Sequence, residues 1–496
     1  MVGPLSRIYD KRSGMIGGKR IFTNTAFMIS SSLINLGISI ITTALIARAL
    51  GPELYGKYSF GLTFIFFFSV LANFGIETLF VRESARDKEN ISRMFMDIMH
   101  LKCFLALLTI VVVAVSANLL NYPKSTIHVI YILSIGLFFQ ILYMTLMSVY
   151  RSLEKMLVVA IFSVIFRVIT ALMIVGAIYL DIGLMGIVWT FSVGNVLVFL
   201  GSYVYFYNDV GIFHLRLNPR NWVILISRGF PFYASALLTM VYTKINVLML
   251  SKMEGELEIG YYMAAATLVE TLYFIPDAVG ISLFPAFSRI YGHSIEALKK
   301  TYAKMVKYIM LITAAVCVGC FLVGGKILLL IYGEAFHGAV PILTILIIYW
   351  ALMFFDNMMS NLLFSINKEK VQVKVMGFAC AVNILLNIIL IREYGFIGSA
   401  YAIVITEGFV VVIIGGLLWL NSLRYYPDWT ILRLAGVLMV MVLTVRALGN
   451  FNIALEIIGG AISYVIFLFA LKVFDDEDLV YIRSIIQRGA TNVPRY

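Results

Sequence analysis

The sequence predicts an all-α, polytopic membrane protein with about fourteen transmembrane helices. Three observations lead to this prediction: the composition, the length of the apolar runs and the distribution of the basic residues. Of the 496 residues, 61% are hydrophobic and only 13% are charged, whereas a soluble domain carries about 25% charged residues. With a mean hydropathy of +0.95, the chain is predicted to be an integral membrane protein.

Apolar runs of membrane-spanning length follow one another along the chain. A helix of roughly 20 apolar residues crosses the hydrocarbon core of a bilayer. The segments that connect the runs are short, so no sizeable soluble domain is predicted. The fourteen runs cover residues 26–47, 59–80, 101–120, 128–149, 158–180, 184–206, 229–250, 262–284, 308–331, 342–364, 374–391, 398–420, 431–448 and 453–472.

The basic residues support this count. When successive connecting segments are assigned to opposite sides of the membrane, 29 of the 38 Lys and Arg residues fall on one side and 7 on the other. Basic residues are enriched in cytoplasmic segments, so both termini of this multi-pass cell-membrane protein are predicted to be cytoplasmic. No cleavage site of a signal peptide follows the basic N-terminus, and the first span is expected to be retained. The net charge of +11 therefore reflects topology, and no nucleic-acid partner is predicted.

A duplication organises the spans. The segment 47–58 returns about 200 residues later, because Glu-Leu precedes a Gly-x-Tyr at both Gly56 and Gly260. Each copy holds an even number of spans, so both copies enter the membrane from the same side, as in a parallel repeat. The predicted parts are a basic cytoplasmic N-terminus (1–25), a first lobe (26–206), a cytoplasmic linker (207–228), a second lobe (229–420), two appended spans (421–472) and a cytoplasmic tail (473–496).

Two related lobes with a site between them are typical of secondary transporters. The sequence has no Gly-rich loop followed by Lys-Ser/Thr, so ATP hydrolysis by this chain is disfavoured. Four cysteines lie within apolar runs and five histidines are scattered, so neither a metal site nor a catalytic site is predicted. We expect a transporter that is not an enzyme and that uses no cofactor beyond a coupling H⁺ or Na⁺.

Several short motifs, taken in their order and spacing, resemble those of polysaccharide transporters and oligosaccharide flippases. The resemblance covers about residues 20 to 420 and implies the superfamily of multidrug, lipid-linked oligosaccharide and polysaccharide exporters. The motifs lie at 48–58, 74–76, 81–83, 260–262, 284–285, 331–336 and 394–400.

This resemblance implies two six-helix lobes around a central cavity. The flippase branch of the superfamily moves polyprenyl-pyrophosphate-linked glycans from the cytoplasmic to the outer leaflet. The two extra C-terminal spans also resemble that branch. In span seven, where relatives often carry an acidic residue, this chain instead has Lys244 and Asn246.

Ionisable residues inside the spans are candidates for substrate binding, because each costs at least about 2.5–3.5 kcal/mol near a helix centre. Arg167 lies roughly 14 Å into span five at about 1.5 Å per residue. Its guanidinium group could hold a pyrophosphate by two-point hydrogen bonding; pairing with a carboxylate of its own lobe, or snorkelling, is the alternative. The other substrate candidates are Lys244, Asn246 and Arg48.

Four carboxylates inside the spans are candidates for binding the coupling ion, with helix packing as the alternative role. Glu270 and Asp277 share a helix face, since they are seven residues apart. Lys244 and Glu270 are predicted at similar depth, so an internal ion pair is an alternative to substrate contact. The four candidates are Glu270, Asp277, Asp356 and Glu407.

The predicted function is that of a flippase for a lipid-linked oligosaccharide or polysaccharide unit, working by alternating access. Its expected partners are the lipid-linked glycan, membrane lipids and enzymes of glycan assembly. Arg82 and Arg86 are predicted to meet anionic headgroups at the cytoplasmic face. One alternative is a multidrug/cation antiporter with the same fold. Another is a membrane-embedded glycan polymerase, which should have a substantial external loop that this sequence lacks.

Overall fold

A computed structural model of the protein describes residues 17–86, 91–211, 219–424, 429–449, 451–475 and 478. The described residues form helices and turns and contain no strand. The first eight helices are α1 Gly17–Asn73, α2 Ile76–Arg86, α3 Ile91–Leu119, α4 Lys124–Ser152, α5 Met156–Tyr179, α6 Gly183–Val210, α7 Pro219–Met253 and α8 Glu256–Glu270. The other seven are α9 Phe274–Tyr291, α10 Ile295–Tyr332, α11 Val340–Ser365, α12 Glu369–Tyr394, α13 Phe396–Leu420, α14 Thr430–Ala447 and α15 Ile453–Ala470.

The first helix contains two of the predicted spans. At 57 residues and about 1.5 Å per residue, α1 is far longer than a hydrocarbon core of about 30 Å. It is broken at Gly51, whose φ of 70° and ψ of 172° are not helical and favour glycine. Thirteen helices of the described chain are long and apolar enough to span a membrane. Since the first of them holds two spans, the fourteen-span prediction agrees with this fold.

Two predicted spans differ in detail from the helices. The second predicted span, 59–80, stops at Asn73, because Phe74 and Gly75 adopt positive φ angles of 42° and 68°. The eighth, 262–284, is interrupted by a 3₁₀ turn at Thr271–Tyr273. The end of the second span was placed wrongly and the turn in the eighth was not predicted, because hydropathy continues through breaks that only backbone angles reveal.

The described helices form two compact units. The first comprises Met1–Thr267 and Met376–Ala402. Within it α4 packs against α1, α3 and α6 and is the most buried of the membrane-length helices in the described chain. The core of this unit includes Leu79, Leu101 and Tyr150, which are fully buried.

The second unit comprises Leu268–Val375 and Ile403–Tyr496. In it α11 packs against α9 and α10, and the appended pair α14 and α15 packs against α10. The buried Trp350 donates a hydrogen bond of 3.2 Å from Nε1 to the carbonyl oxygen of Leu272, within the 3₁₀ turn. The predicted division into lobes stays a prediction. Of the predicted cytoplasmic segments, most of 1–25 and of 473–496 lies outside the described residues, whereas 207–228 is described except for 212–218.

A buried charge network fixes the start of α2 in the first unit. Lys102, with a side chain that is 1% exposed, lies 2.9 Å from Glu77 Oε1, and Arg151 lies 3.1 Å from Glu77 Oε2. Lys102 also donates to Asn73 Oδ1 at 2.9 Å. Burial alone would raise the pKa of Glu77, but the charges of Lys102 and Arg151 outweigh it and lower that pKa. The network therefore orients α2, which carries Arg82 and Glu83.

Candidate functional site

The two copies of the duplicated motif touch each other within the first unit. A methyl group added to Gly56 would overlap with the carbonyl oxygen of Glu256. In the same way, one added to Gly260 would overlap with the carbonyl oxygen of Pro52. The same spacing in sequence relates Pro52 to Glu256 and Gly56 to Gly260. The contact is therefore reciprocal, as in an interface about a two-fold axis, and it requires glycine on both sides.

Polar contacts surround this glycine pair. Lys57 Nζ lies 3.0 Å from Glu256 Oε2, and both side chains are partly exposed, at 12% and 22%. The Tyr122 hydroxyl is hydrogen-bonded to Ser251 Oγ at 2.9 Å. Lys252 Nζ lies over the Tyr122 ring, 3.4 Å from its centroid. We call this group the junction cluster; it comprises Pro52, Gly56, Lys57, Tyr122, Ser251, Lys252, Glu256 and Gly260.

The junction cluster combines a close backbone contact with polar contacts between side chains. A partly exposed ion pair contributes only about 0–1 kcal/mol, and glycine offers no side chain to interdigitate. Burial raises the pKa of Tyr122, more than its hydrogen bond with Ser251 lowers it, so the phenol stays neutral and accepts the Lys252 cation on its ring. Sequence reasoning located the two glycines but not these side chains. The sequence did contain a signal for this ion pair, because Lys57 and Glu256 carry opposite charges and lie in the two copies of the duplicated motif.

Arg167 lies halfway along α5, on the face that packs against α1. Ser163, one turn earlier on the same face, accepts a hydrogen bond of 3.1 Å from Asn35 Nδ2. The Arg167 side chain is exposed and interacts electrostatically with Tyr58. In the part of the chain that the structure describes, it forms neither an ion pair nor a hydrogen bond through its side chain. The predicted alternative, a carboxylate partner, is not found among those residues.

The other substrate candidates lie in three different settings. Asn246 is 1% exposed, and its Oδ1 accepts a hydrogen bond of 2.6 Å from Asn387 Nδ2. Lys244 is half-buried and Arg48 is exposed, and each of these two takes part in further interactions. Asn246 is thus enclosed by helix packing in this conformation, and a role for any of the three in substrate binding stays a prediction.

A largely apolar cavity with three polar lining residues lies between two of the predicted ion-coupling helices in the second unit. The cavity has a volume of about 660 Å³, and its polar lining comes from Asp277 on α9 and from Asn357 and Asn361 on α11. The helices approach closely at Gly280, where a methyl group would overlap with Asn357 Oδ1. From the sequence, Asp277 and Asp356 were predicted as separate candidates, without a contact between their helices. The glycine one turn after Asp277 is the feature that joins them.

The other three predicted ion-coupling carboxylates, Asp356, Glu407 and Glu270, differ in their surroundings. Asp356 Oδ1 accepts a hydrogen bond of 2.9 Å from Ser360 Oγ. Glu407 is buried and Glu270 is exposed, and both take part in further interactions. The predicted pairing of Lys244 with Glu270 stays a prediction. Carboxylate and amide oxygens suit a hard cation, and a role for any of the four carboxylates in ion coupling stays a prediction.

Comparison with known proteins gives matches of three kinds. A family model described as "Polysaccharide biosynthesis protein" matches residues 21–291. Putative O-antigen transporters from Shigella dysenteriae and Shigella flexneri are each 24% identical to this chain. These alignments cover 69% and 77% of this chain and 86% and 93% of the relatives.

Two solved structures show the same fold. One is the lipid II flippase MurJ in an inward closed conformation, with a TM-score of 0.75, 16% identity, and coverage of 92% of this chain and 100% of that one. The other is a multidrug resistance MATE family transporter in an inward-facing conformation, with a TM-score of 0.63, 17% identity, and coverage of 78% and 93%.

The glycine contact can be tested by adding a single methyl group. Gly56→Ala and Gly260→Ala should each lower the melting temperature of the protein in detergent, because overpacking costs about 1–3 kcal/mol. Gly176→Ala is the matched control, since nothing lies within 4 Å of the added methyl and alanine favours a helix. Equal melting temperatures for all three variants would contradict the reciprocal contact.

Proposed function

This chain belongs to the polysaccharide biosynthesis protein family, and on that premise we propose that it is a flippase. It moves a polyprenyl-pyrophosphate-linked oligosaccharide or polysaccharide unit from the cytoplasmic to the outer leaflet by alternating access. The two Shigella relatives, which are named as putative transporters of O-antigen, support this proposal. Their names describe transport and not catalysis, in agreement with the prediction that this chain is not an enzyme.

The single observation that carries the proposal is the placement of Arg167. An arginine stays charged inside a protein, and its cost inside a membrane is met when an anion or a water-filled cavity faces it. Arg167 lies mid-helix, exposed, and without a carboxylate partner in the described chain. Its planar fork donates two parallel hydrogen bonds to a phosphate group. A diphosphate that passes this level would supply the counter-charge that the fold leaves open.

Alternating access requires a contact that separates and re-forms. We assign this role to the junction cluster, which lies on segments predicted to face the outside. The cluster is closed in this structure, and its Lys57–Glu256 pair and Tyr122–Ser251 hydrogen bond are individually weak. Opening it would expose Arg167 to the outer side, while the lipid tail of the substrate stays in the bilayer.

The driving force in this proposal is an ion gradient. Asp277 and the nearby amides of Asn357 and Asn361 line a cavity that is open enough to admit water. Binding of H⁺ or Na⁺ there would cancel a negative charge inside the membrane and stabilise one conformation of the second unit over another. Asp356 is the second carboxylate available for this role.

A multidrug/cation antiporter is the second candidate function, since a MATE family transporter shares this fold. The charge of Arg167 argues against it, because a cationic drug would be repelled by an unneutralised guanidinium group. Uptake of cationic dyes by cells that produce the protein would separate the two functions.

The substrate role of Arg167 can be tested in proteoliposomes loaded with a lipid-linked glycan. Arg167→Ala should slow translocation at least tenfold, because it removes a two-point, charge-assisted contact with the diphosphate. Arg167→Lys keeps the charge but loses the fork, so its rate should be intermediate. Arg289→Ala, at an exposed site on α9, is the control. Wild-type translocation by the Arg167→Ala variant would remove this residue from the site.

Ion coupling can be tested by the response of translocation to pH and to Na⁺. Asp277→Asn and Asp356→Asn each mimic the protonated carboxyl group. If that carboxylate carries the ion, the variant should be slower and should lose the ion dependence of the wild type. Glu369→Gln, at the exposed start of α12, should keep it. Unchanged ion dependence in both aspartate variants would exclude both carboxylates as the coupling site.

A further inference from the structure

A cavity in the first unit contains two arginines that the mechanism above does not use. It lies between α2 and α7 and has a volume of about 510 Å³. Arg82 and Arg228 belong to segments that are predicted to be cytoplasmic, whereas Arg167 is predicted to lie near the middle of the membrane. The cavity is lined by Arg82, Glu83, Arg228, Pro231 and Phe232.

The fold brings the two arginines together through a close contact of backbones. The positive φ angle of Gly75 lets the chain turn after α1, and a methyl group at Gly75 would overlap with Phe232 Cβ. A methyl group at Gly229 would lie 2.6 Å from the Phe74 carbonyl oxygen. The rings of Phe74 and Tyr233 stack, with centroids 4.2 Å apart and planes 6° apart. This contact holds the start of α2 against α7.

The charges in the cavity do not cancel. Arg82 Nη2 lies 3.0 Å from Glu83 Oε1, so one guanidinium group has a carboxylate neighbour. Arg228 is exposed, and within the described ranges its side chain has neither a hydrogen bond nor an ion pair. With two cations and one anion, the cavity is left with a net positive charge.

The ring of Phe232 contacts the guanidinium group of Arg82 in the cavity. The guanidinium carbon of Arg82 lies 5.2 Å from the centroid of the Phe232 ring, a cation–π distance. This contact limits the freedom of the Arg82 side chain. An arginine that is pre-oriented in this way loses less entropy when it binds a ligand.

We propose that this cavity is a binding site for a phosphate-bearing headgroup, which Arg82 and Arg228 hold from two sides. The shared chemistry is that of a phosphate ester or diphosphate, for which the guanidinium fork is suited. Such a group reaches the cavity either on a lipid-linked diphosphate or on an anionic phospholipid of the bilayer. In the first case the site is where the substrate docks before it reaches Arg167, and that role rests on the proposed function.

Glu83 allows a phosphate-binding site to be distinguished from a purely structural ion pair. Its carboxylate competes with an incoming phosphate for Arg82, so removal of its charge should strengthen binding. A site in which Arg82 and Glu83 only support each other structurally would respond in the opposite way, since loss of the pair would loosen it. Arg86 was also predicted to meet headgroups, but its side chain lies outside the described residues.

The test measures equilibrium binding to the full-length protein in nanodiscs of zwitterionic phosphatidylcholine. The probes are inorganic pyrophosphate and a polyprenyl diphosphate, and a second series uses nanodiscs that contain phosphatidylglycerol. The variants are Arg82→Gln and Arg228→Gln, with Glu83→Gln as the opposite-sign variant and Arg289→Gln as the exposed control. All are surface substitutions, and their elution on size exclusion should match that of the wild type.

We expect each of the two arginine variants to weaken diphosphate binding about tenfold, Glu83→Gln to strengthen it, and Arg289→Gln to leave it unchanged. If phosphatidylglycerol displaces the diphosphate in an Arg82- and Arg228-dependent manner, the site stands and its natural ligand is the bilayer headgroup. Equal diphosphate binding by wild type and both arginine variants would overturn the proposal. Because the assay involves no transport, a failure of the flippase function would leave this result intact.

Discussion

Two carbonyl oxygens occupy the space where the side chains of residues 56 and 260 would otherwise be, and the packing of the first unit depends on this. The oxygen of Glu256 lies against Gly56, and that of Pro52 lies against Gly260. Close approach of this kind allows backbones to pack without a hydrophobic driving force, which is weak between helices in lipid. A duplicated sequence supplies both halves of the contact. The features that make the chain resemble its family thus also hold its two copies together.

The charged side chains of the first unit divide into two groups with different consequences. Glu77, between Lys102 and Arg151, is fully neutralised and orients α2. Arg167 and Arg228 have neither an ion pair nor a side-chain hydrogen bond within the described ranges. For Arg167, which is predicted to lie near the middle of the membrane, an unpaired guanidinium group is costly and is retained where a ligand or water faces it. The difference between these groups, and not the overall basic charge of the chain, is what points to an anionic substrate.

Much of the fold could be predicted from the sequence, because bilayer thickness imposes a length on each apolar run. The count of spans and the duplication followed from periodic features that hydropathy and motif spacing report directly. Breaks such as those at Phe74 and at the 3₁₀ turn Thr271–Tyr273 could not be predicted, since apolar residues continue through them. The position of Arg167 midway along its helix was predictable, but the burial of Asn246 in a cluster with Asn387 was not, because it depends on how helices distant in sequence pack.

The central claim is that the junction cluster must open during each transport cycle. Its most direct test is a reversible cross-link between cysteines at positions 57 and 256, introduced as Lys57→Cys and Glu256→Cys, with a short bifunctional thiol reagent that a reductant cleaves. A matched pair, Lys155→Cys with Asp209→Cys, replaces an ion pair of 2.9 Å within the first copy. The account predicts that cross-linking the first pair stops translocation of a lipid-linked glycan, that reductant restores it, and that cross-linking the control pair does neither. Full translocation by protein cross-linked at 57 and 256 would contradict the account.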